Sequence, residues 1–339
     1  MEDLYSISSI SRQGYHKGLS KASREDMLWQ RIKEIVIEVR KDYPRISARK
    51  MHRLLDIKEV GINRFEEFVS VQGLGVSSPR SFIRTTYSGL YYYPNLVNGI
   101  VLNGVNQLWV GDITYYITKD GVFYIVFILD VYSRRIVGFN ASDNMLAINN
   151  QKALKMAFRG RRQYVYEDLI HHSDKGSQYG STEYVDMLTA SGITISMANT
   201  CLENPYAERI NGIIKRDYLV AYNITSLTQL KKALAKSVVL YNHCPHGELA
   251  MMSPLEFEER LNQTPRDHHP QMQLYDFTKS KTENVTMGFK RHKTMKIAEK
   301  EKTVALQNKT TVNHFPGSAY SLEGCSPAEP SSASPIKQS

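Results

Sequence analysis

Short runs of β-branched and aromatic residues in the middle of the chain give way to amphipathic stretches further on. Turn residues around Gly121 and at Asp130 break the first runs, which predicts an antiparallel meander at 108–118, 122–129 and 132–139. The hydrophobic period then alternates, predicting helix 144–158, strand 169–172, helix 182–191, strand 193–197 and helix 205–220. This order, βββαβαβα, indicates an α/β fold with a mixed five-stranded sheet.

The N-terminal part has helical rather than strand periodicity. Apolar spacing predicts three short helices at 26–42, 48–55 and 64–71, the last two capped by Ser47 and Asn63. The second helix carries three basic residues, Arg49, Lys50 and Arg53. Three helices with a basic surface resemble a helix-turn-helix. Small helical units with basic surfaces also occur without that role, so both interpretations stay open.

Composition shifts divide the chain into segments. Two more helices are expected at 227–241 and 254–261. Ser, Gly and Pro mark the linker, and Pro, Ser, Gly and Ala dominate the C-terminal tail. The predicted segments are a leader at 1–25, a helix-turn-helix-like region at 26–75, a linker at 76–105, a core at 106–260, a basic C-terminal extension at 261–309 and a disordered tail at 310–339.

Charge narrows the class of partner. The 339 residues include 43 Lys and Arg against 34 Asp and Glu, a net charge of +9. The excess lies in the two flanks, 1–105 and 279–339, around a nearly neutral centre. Either the helix surfaces are merely Lys-rich or the flanks hold a polyanion such as DNA. The longest apolar run, 122–129, is too short to span a membrane, and no signal pattern begins the chain, so we expect a cytoplasmic protein.

Three acids occupy informative positions in the predicted core. Asp112 lies within an apolar strand, Asp174 follows the fourth strand, and Glu208 is in the first turns of the last core helix. Each has a structural alternative: a satisfied strand acid, a turn residue or a helix N-terminal acid. Brought together, three carboxylates would repel one another unless a cation or protons joined them. The absence of paired Cys or His ligands favours Mg²⁺ or Mn²⁺, with two ions acting on a phosphate.

Four motifs resemble the integrase-type catalytic core of bacterial insertion-sequence transposases, specifically the second-frame product that is similar to retroviral integrases. They are WVGDITY around Asp112, LDVYSRRIVG at 129–138, HSDKGSQY at 172–179 and ENPYAERINGIIK at 203–215. YNHCPHGELAMMSPLEF at 241–257 resembles the downstream segment of the same family. The resemblance implies a ribonuclease-H-like core over about 106–260, followed by the C-terminal extension.

The resemblance also implies roles for single residues. Asp112, Asp174 and Glu208 match the family's catalytic, metal-binding acids, although the interval between the last two is two residues shorter than usual. We expect the shortening in the loop 198–203, which leaves Glu203 as a competing acid. His172 and Gln178 match the family pattern, with a structural role favoured. Three basic residues near the acids are candidate DNA contacts: Lys215, Lys175 and Arg209.

The sequence therefore predicts a transposase that cleaves and joins DNA at the ends of an insertion sequence. The expected partners are double-stranded DNA with terminal inverted repeats, target DNA, and further copies of the chain assembled on DNA. In related elements an upstream-frame helix-turn-helix and zipper protein is fused by frameshifting. A ribonuclease-H-like nuclease without joining activity and a catalytically silent DNA-binding regulator are the alternatives. A transposase would work at the nucleoid, without a membrane partner.

Overall fold

The computed structural model describes residues 11–76, 93–119, 121–162, 166, 168–276 and 288–289. The chain divides into two units, Met1–Lys290 and Arg291–Ser339. The second unit, with the predicted tail, lies outside the described residues, as do most of the predicted extension and residues 77–92 of the predicted linker. No helix within the described ranges is long and apolar enough to cross a lipid bilayer.

Strands and helices alternate after an all-helical N-terminal part. The strands are β1 (Val101–Leu102), β2 (Leu108–Thr118), β3 (Gly121–Asp130), β4 (Ile136–Ser142), β5 (Ile170–Ser173), β6 (Thr194–Met197), β7 (Met272–Gln273) and β8 (Gly288–Phe289). The α-helices are α1 (Arg12–Asp42), α2 (Ala48–Leu54), α3 (Ile62–Val71), α4 (Ala147–Gly160), α5 (Thr182–Ala190), α6 (Pro205–Ile213), α7 (Leu227–His243) and α8 (Pro254–Asn262).

Five of the strands form one mixed sheet in the order β4-β3-β2-β5-β6. Strands β2, β3 and β4 pair as an antiparallel meander, whereas β5 pairs in parallel with both β2 and β6. The predicted order βββαβαβα and the mixed five-stranded sheet are confirmed. Strands β1, β7 and β8 form a separate small sheet.

Both faces of the large sheet are covered. Successive side chains of a strand point to opposite faces, so Phe127 of β3 joins the cluster with Ile210 of α6 and Leu234 of α7. Its neighbour Ile128 joins the cluster with Leu154 of α4. Helix α4 lies so close to β4 that a Cβ built on Gly138 would come within 2.2 Å of the carbonyl oxygen of Ala153. Only glycine fits this contact.

A buried ion-pair network ties the β3–β4 turn to α8. Asp130 is fully buried and accepts backbone amide hydrogen bonds of 2.7 and 3.1 Å, so it stabilises the turn that follows β3. Arg161 lies 3.9 Å from Asp130 and forms a two-pronged ion pair with Glu258. Arg135 donates to the same glutamate at 2.6 Å. Glu258, the residue that follows the downstream motif, therefore holds the turn of the meander in place.

The N-terminal helices α1, α2 and α3 pack around one small core that contains Met51 and Phe65. Cys244, which ends α7, belongs to the same core and connects the helical region to the sheet domain. Ser47 caps α2 as predicted, with its side chain accepting from the amide of Lys50. A cavity of about 160 Å³ lies at this junction, bounded by α2 residues and by residues after α6.

Several predicted boundaries of helices and segments differ from those in the structure. Helix α1 begins at Arg12, so residues 12–25 of the predicted leader are helical. Gly61 rather than Asn63 is the cap of α3. The predicted linker 76–105 is partly ordered against the core, since Leu102 is buried and β1 pairs with β7. The helix predicted at 205–220 continues after α6 as a π-helical turn, Ile214–Tyr218.

Candidate active site

Strand register brings Asp112 and Asp174 to the same edge of the sheet. In the parallel pairing of β2 with β5, Gly111 is the partner of Ser173. The residue after each of these is an aspartate: Asp112 lies within β2, and Asp174 comes directly after the end of β5. Asp174 then turns away, and its Oδ1 accepts a 3.0 Å hydrogen bond from the amide of Gly176. The two predicted acids thus lie side by side without being neighbours in sequence.

Helix α6 carries the third acid along the same strand. The Asn204 side chain at the helix N-terminus donates to the carbonyl oxygen of Gly111 at 3.1 Å. Two turns later, Asn211 Nδ2 donates to Asp112 Oδ2 at 2.6 Å. Glu208 lies between these two residues at i+4 and i−3, and hence on the same helix face. The helix is fastened to β2 on either side of Glu208, whose own side chain is exposed.

Burial and mutual repulsion dominate the electrostatics of the three acids, and Lys215 offsets the charge of Asp112 only in small part. Burial, and then the charge of Asp174, raise the pKa of Asp112 to about 8, and Glu208 adds a smaller increase in the same direction. Burial also raises the pKa values of Asp174 and Glu208. All three shifts disfavour the ionised form, so a divalent cation would relieve the repulsion.

The donor chemistry fits Mg²⁺ or Mn²⁺, because all three side chains supply hard carboxylate oxygens. Among the described residues, no three His, Cys, Asp or Glu side chains already form a group that could hold a metal ion. The structure therefore brings the acids into electrostatic contact without a closed ligand cage. The exposed Glu208 side chain is the one that has room to turn.

Glu203, the competing acid, is engaged elsewhere. It ends a single 3₁₀ turn, Cys201–Glu203, within the shortened loop. Its carboxylate accepts from Asn95 Nδ2 at 2.5 Å and from the amide of Asn199 at 2.9 Å. These bonds organise the loop before α6, so the geometry favours Glu208 as the partner of Asp112.

Lys215 lies in the π-helical turn that follows α6 and reaches β2. Its Nζ donates to Thr114 Oγ1 at 2.6 Å and to the carbonyl oxygen of Tyr115 at 3.4 Å. Burial lowers the pKa of this ammonium group, and the charge of Asp112 opposes that change. Lys215 is thus a half-buried cation two residues beyond Asp112 along the strand, rather than a solvated surface lysine.

The other candidate DNA contacts near the acids have protein partners. Lys175 Nζ donates to Asn199 Oδ1 at 3.1 Å. Arg209 forms a 3.4 Å ion pair with Glu248, which also accepts from Arg134 at 2.7 Å. Arg209 therefore connects α6 to the downstream motif.

The candidate contacts of the N-terminal region do not reach the acids. Arg49 pairs with Glu66, with Nη2 to Oε2 at 2.7 Å. Lys50 borders the cavity at the junction with the core, together with Asp217. Arg53, in the last turn of α2, is exposed. Of these three, Arg53 is the one with an open side chain for a DNA phosphate.

Sequence reasoning missed two residues that touch the site. The helical spacing of the sequence places Asn211 on the same helix face as Glu208, but only the structure shows the hydrogen bond from Asn211 to Asp112. Tyr179 is buried, and its hydroxyl lacks a hydrogen-bond partner within the described residues. The charges of Asp112 and Asp174 are among the causes that raise its pKa, so it lies close to both. A polar group buried beside the acids is a signal that only coordinates can give.

His172 forms part of the support behind the site. Its Nδ1 shares a 2.9 Å hydrogen bond with Ser196 Oγ, and burial lowers its pKa to about 4. The imidazole is therefore neutral at physiological pH. This contact agrees with the structural role favoured from the sequence.

Comparison with known proteins gives matches over the same region. A family model described as an integrase core domain matches residues 103–201, and a second with the same description matches 191–254. The chain is 30% identical over 271 residues to the "Insertion element IS600 uncharacterized 31 kDa protein" of Shigella sonnei, covering 76% of this chain and 98% of that protein. It is 31% identical over 240 residues to the "Transposase for insertion sequence element IS629" of Shigella sonnei, covering 68% and 79%.

Among solved structures, the chain resembles the HTLV-2 integrase catalytic core domain in complex with magnesium, in its trimeric form. The sequence identity is 18% and the TM-score 0.36, covering 48% of this chain and 99% of that chain. A simian T-cell lymphotropic virus intasome in complex with PP2A regulatory subunit B56 gamma gives 17% identity and a TM-score of 0.40, covering 69% and 81%.

Proposed function

The chain belongs to the insertion-sequence transposases that carry an integrase core domain, and we propose that Asp112, Asp174 and Glu208 perform its chemistry. DNA strand cleavage and strand transfer, a polynucleotidyl transfer, is the general activity of this superfamily. The observation that supports the three acids is the position of Asp112. It is influenced by the charge of both other acids and is bonded to Asn211 of the helix that bears Glu208.

The proposed cofactors are two Mg²⁺ or Mn²⁺ ions held by these carboxylates. Such ions, when bound, activate the attacking oxygen and stabilise the leaving oxygen at phosphorus. The protein supplies the oxygen ligands and keeps them in register through β2, the end of β5 and α6. Asn211 fixes the rotation of the Asp112 carboxylate by donating to Oδ2. It acts as a positioning residue for the first acid.

Lys215 is the proposed phosphate contact closest to the acids. Its ammonium group is held 2.6 Å from Thr114 Oγ1 and 5.5 Å from the centre of the Tyr115 ring. A cation restrained in this way loses less side-chain freedom when it meets a phosphate than a solvated lysine does. Arg53 and Lys175 are weaker candidates, while Arg49 and Arg209 would have to exchange an acid partner for a phosphate.

The proposed substrates are the terminal inverted repeats of an insertion sequence and a target duplex, so the protein would act at the nucleoid. Because two ends must be paired before joining, we propose that it works as a homo-oligomer on DNA. Fusion to an upstream-frame helix-turn-helix and zipper protein is a further proposal, taken from the family resemblance.

A strand-transfer assay tests the function. The full chain is incubated with labelled terminal-repeat duplex, unlabelled target DNA and Mn²⁺, and products are resolved by length. We expect joined products longer than the labelled strand, and none with EDTA. Cleavage without joining would identify a nuclease, and binding without either product would identify a DNA-binding regulator.

The matched variants are Glu208→Gln and Glu203→Gln, which remove the same charge five residues apart. We expect Glu208→Gln to abolish both products and Glu203→Gln to retain them. Retained joining in Glu208→Gln would refute the assignment of the third acid. An electrophoretic mobility shift with both variants establishes that DNA binding is intact.

A further inference from the structure

The first half of helix α1 is a solvent-exposed extension of the N-terminal region. We define the basic arm as residues 12–24 of this helix. From His16 to Arg24 every residue is exposed, whereas Ile32 and Val36 in the second half are buried in the helical core. A Cβ built on Gly18 would meet no atom within 4 Å. The arm is therefore helical, and its residues 17–24 are exposed to solvent.

Charge is distributed unevenly along this one helix. The basic arm has four basic residues and no acid, whereas residues 25–42 have four basic residues and five acids. Lys17, Lys21 and Arg24 follow at i, i+4 and i+7 and so share a face. At 1.5 Å per residue, their backbone positions span about 10 Å. None of the three takes part in an ion pair within the described residues. They form a straight row of cations directed to solvent.

The basic arm is an unfavourable helix when the protein is alone. Like charges at i, i+3 and i+4 repel one another on a helix surface, and the first turn of α1 contains no acid to offset them. Gly14 and Gly18 are poor helix formers, and an unpacked helical segment is marginal in water. An anion along this face would reverse the electrostatic cost of the arm.

The base of the arm is fastened to the three-helix region. Arg64 of α3 forms an ion pair with Glu25, immediately after the arm. Its guanidinium group also lies 5.6 Å from the centre of the Trp29 ring. The row of cations therefore projects from the helical region in a defined direction. It is a continuation of α1, rather than a loose tail.

We propose that the basic arm binds the phosphate backbone of duplex DNA beside the site contacted by the three-helix region. The proposal rests on the proposed function, in which DNA is the substrate. Contacts from Lys and Arg to phosphate add affinity without reading sequence. A second copy of this chain fits the same surface less well, because pairing two arms would bring like charges together around the exposed Leu19.

The test is the salt dependence of DNA binding by the full-length chain in EDTA, where no cleavage occurs. The variant is Lys17→Gln/Lys21→Gln/Arg24→Gln, and the ligands are a terminal-repeat duplex and an unrelated duplex of equal length. We expect the slope of log K against log[salt] to fall by about 2.7, at about 0.9 per lost phosphate contact. The affinity loss should be the same on both duplexes. Glutamine is a good helix former, so the arm should stay helical.

The matched control is Lys152→Gln/Lys231→Gln/Lys232→Gln, which removes the same charge from exposed positions on α4 and α7. We expect its slope to stay near that of the unmodified chain. Gly18→Ala should also keep the full slope, since the added Cβ has open space. An equal fall in the control would attribute the effect to net charge and overturn the proposal.

Other outcomes of the binding experiment distinguish failure of the arm proposal from failure of the proposed function. If the unmodified chain binds DNA and the triple arm variant keeps the full slope, the arm proposal fails while the proposed function stands. If the unmodified chain binds neither duplex, the proposed function itself fails. Sedimentation of the Leu19→Ser variant tests the competing partner, and a loss of self-association there would overturn the assignment of the arm to DNA.

Discussion

Replacing Asp112 by asparagine should stabilise the metal-free protein while abolishing cleavage. In the folded chain, burial and the charge of Asp174 raise the pKa of Asp112 from its ordinary value of 3.8 to about 8. The folded state therefore holds this proton more tightly than the unfolded chain does. By linkage, the free energy of unfolding falls as the pH rises from about 4 to about 8.

The magnitude follows from that interval. One pKa unit corresponds to about 1.4 kcal/mol, and pH 7.5 lies 3.7 units above the ordinary pKa of 3.8, so the raised pKa of Asp112 lowers the free energy of unfolding at that pH by about 5 kcal/mol. An asparagine side chain is neutral, and its oxygen can still accept the hydrogen bond from Asn211. A gain of that size would raise Tm by about 10 °C, since each kcal/mol shifts a domain of 150–250 residues by a few degrees.

The assay is thermal unfolding of both proteins in EDTA at pH 5 and pH 8, with Asp168→Asn as the exposed control. We expect the Asp112→Asn variant to unfold at a higher temperature, with a larger gap at pH 8 than at pH 5. Saturating Mg²⁺ should stabilise the unmodified protein and leave the variant unchanged. A gap that is absent, or that is the same at both pH values, would refute the electrostatic account of the site.

Three further predictions concern single side chains. Glu203→Gln should lower the free energy of unfolding, measured in urea, by about 1 kcal/mol, because the Glu203 carboxylate accepts two short hydrogen bonds. A free energy of unfolding equal to that of Glu208→Gln would contradict this. Asn211→Ala should reduce the cleavage rate about tenfold in single-turnover assays, with DNA affinity unchanged, because the Asp112 carboxylate loses its orienting donor. An unaltered rate would exclude positioning. Glu258→Gln should destabilise the fold by about 3–5 kcal/mol in chemical denaturation, since it leaves buried arginines without their acid; a loss under 1 kcal/mol would count against the network.

The core elements could be predicted from the sequence because their patterns are local. Strand β2 was expected at 108–118 and has those bounds, since a β-branched and aromatic run ends at a turn. The register that places Gly111 opposite Ser173 is a contact between distant parts of the chain, which periodicity does not encode. The predicted strand order suggested that the acids converge, and the family resemblance added the expectation that they bind metal ions.

The missed half of helix α1 shows what hydrophobic periodicity detects. Hydrophobic periodicity detects a helix by the apolar stripe that it buries, and residues 16–24 of the basic arm bury none. Serine and glycine in that segment also suggested a loose leader. Similarly, basic residues identified in the sequence could not be sorted by partner. Arg49 pairs with Glu66, whereas Arg53 remains open to solvent.

The core contains two groups of acids, and the contrast between them separates structure from chemistry. Asp130 and Glu258 are buried against Arg161, which offsets their charge within the fold. Asp112 has no ion pair within the described residues, and its strongest charged neighbour is another carboxylate, Asp174. Arg161 lies beside Asp130 and Glu258, whereas no arginine is among the charged neighbours that shift the pKa of Asp112. An acid cluster whose basic neighbour, Lys215, offsets its charge only in small part is costly to the apo protein, and such strain is expected where a cation and substrate phosphate complete the site.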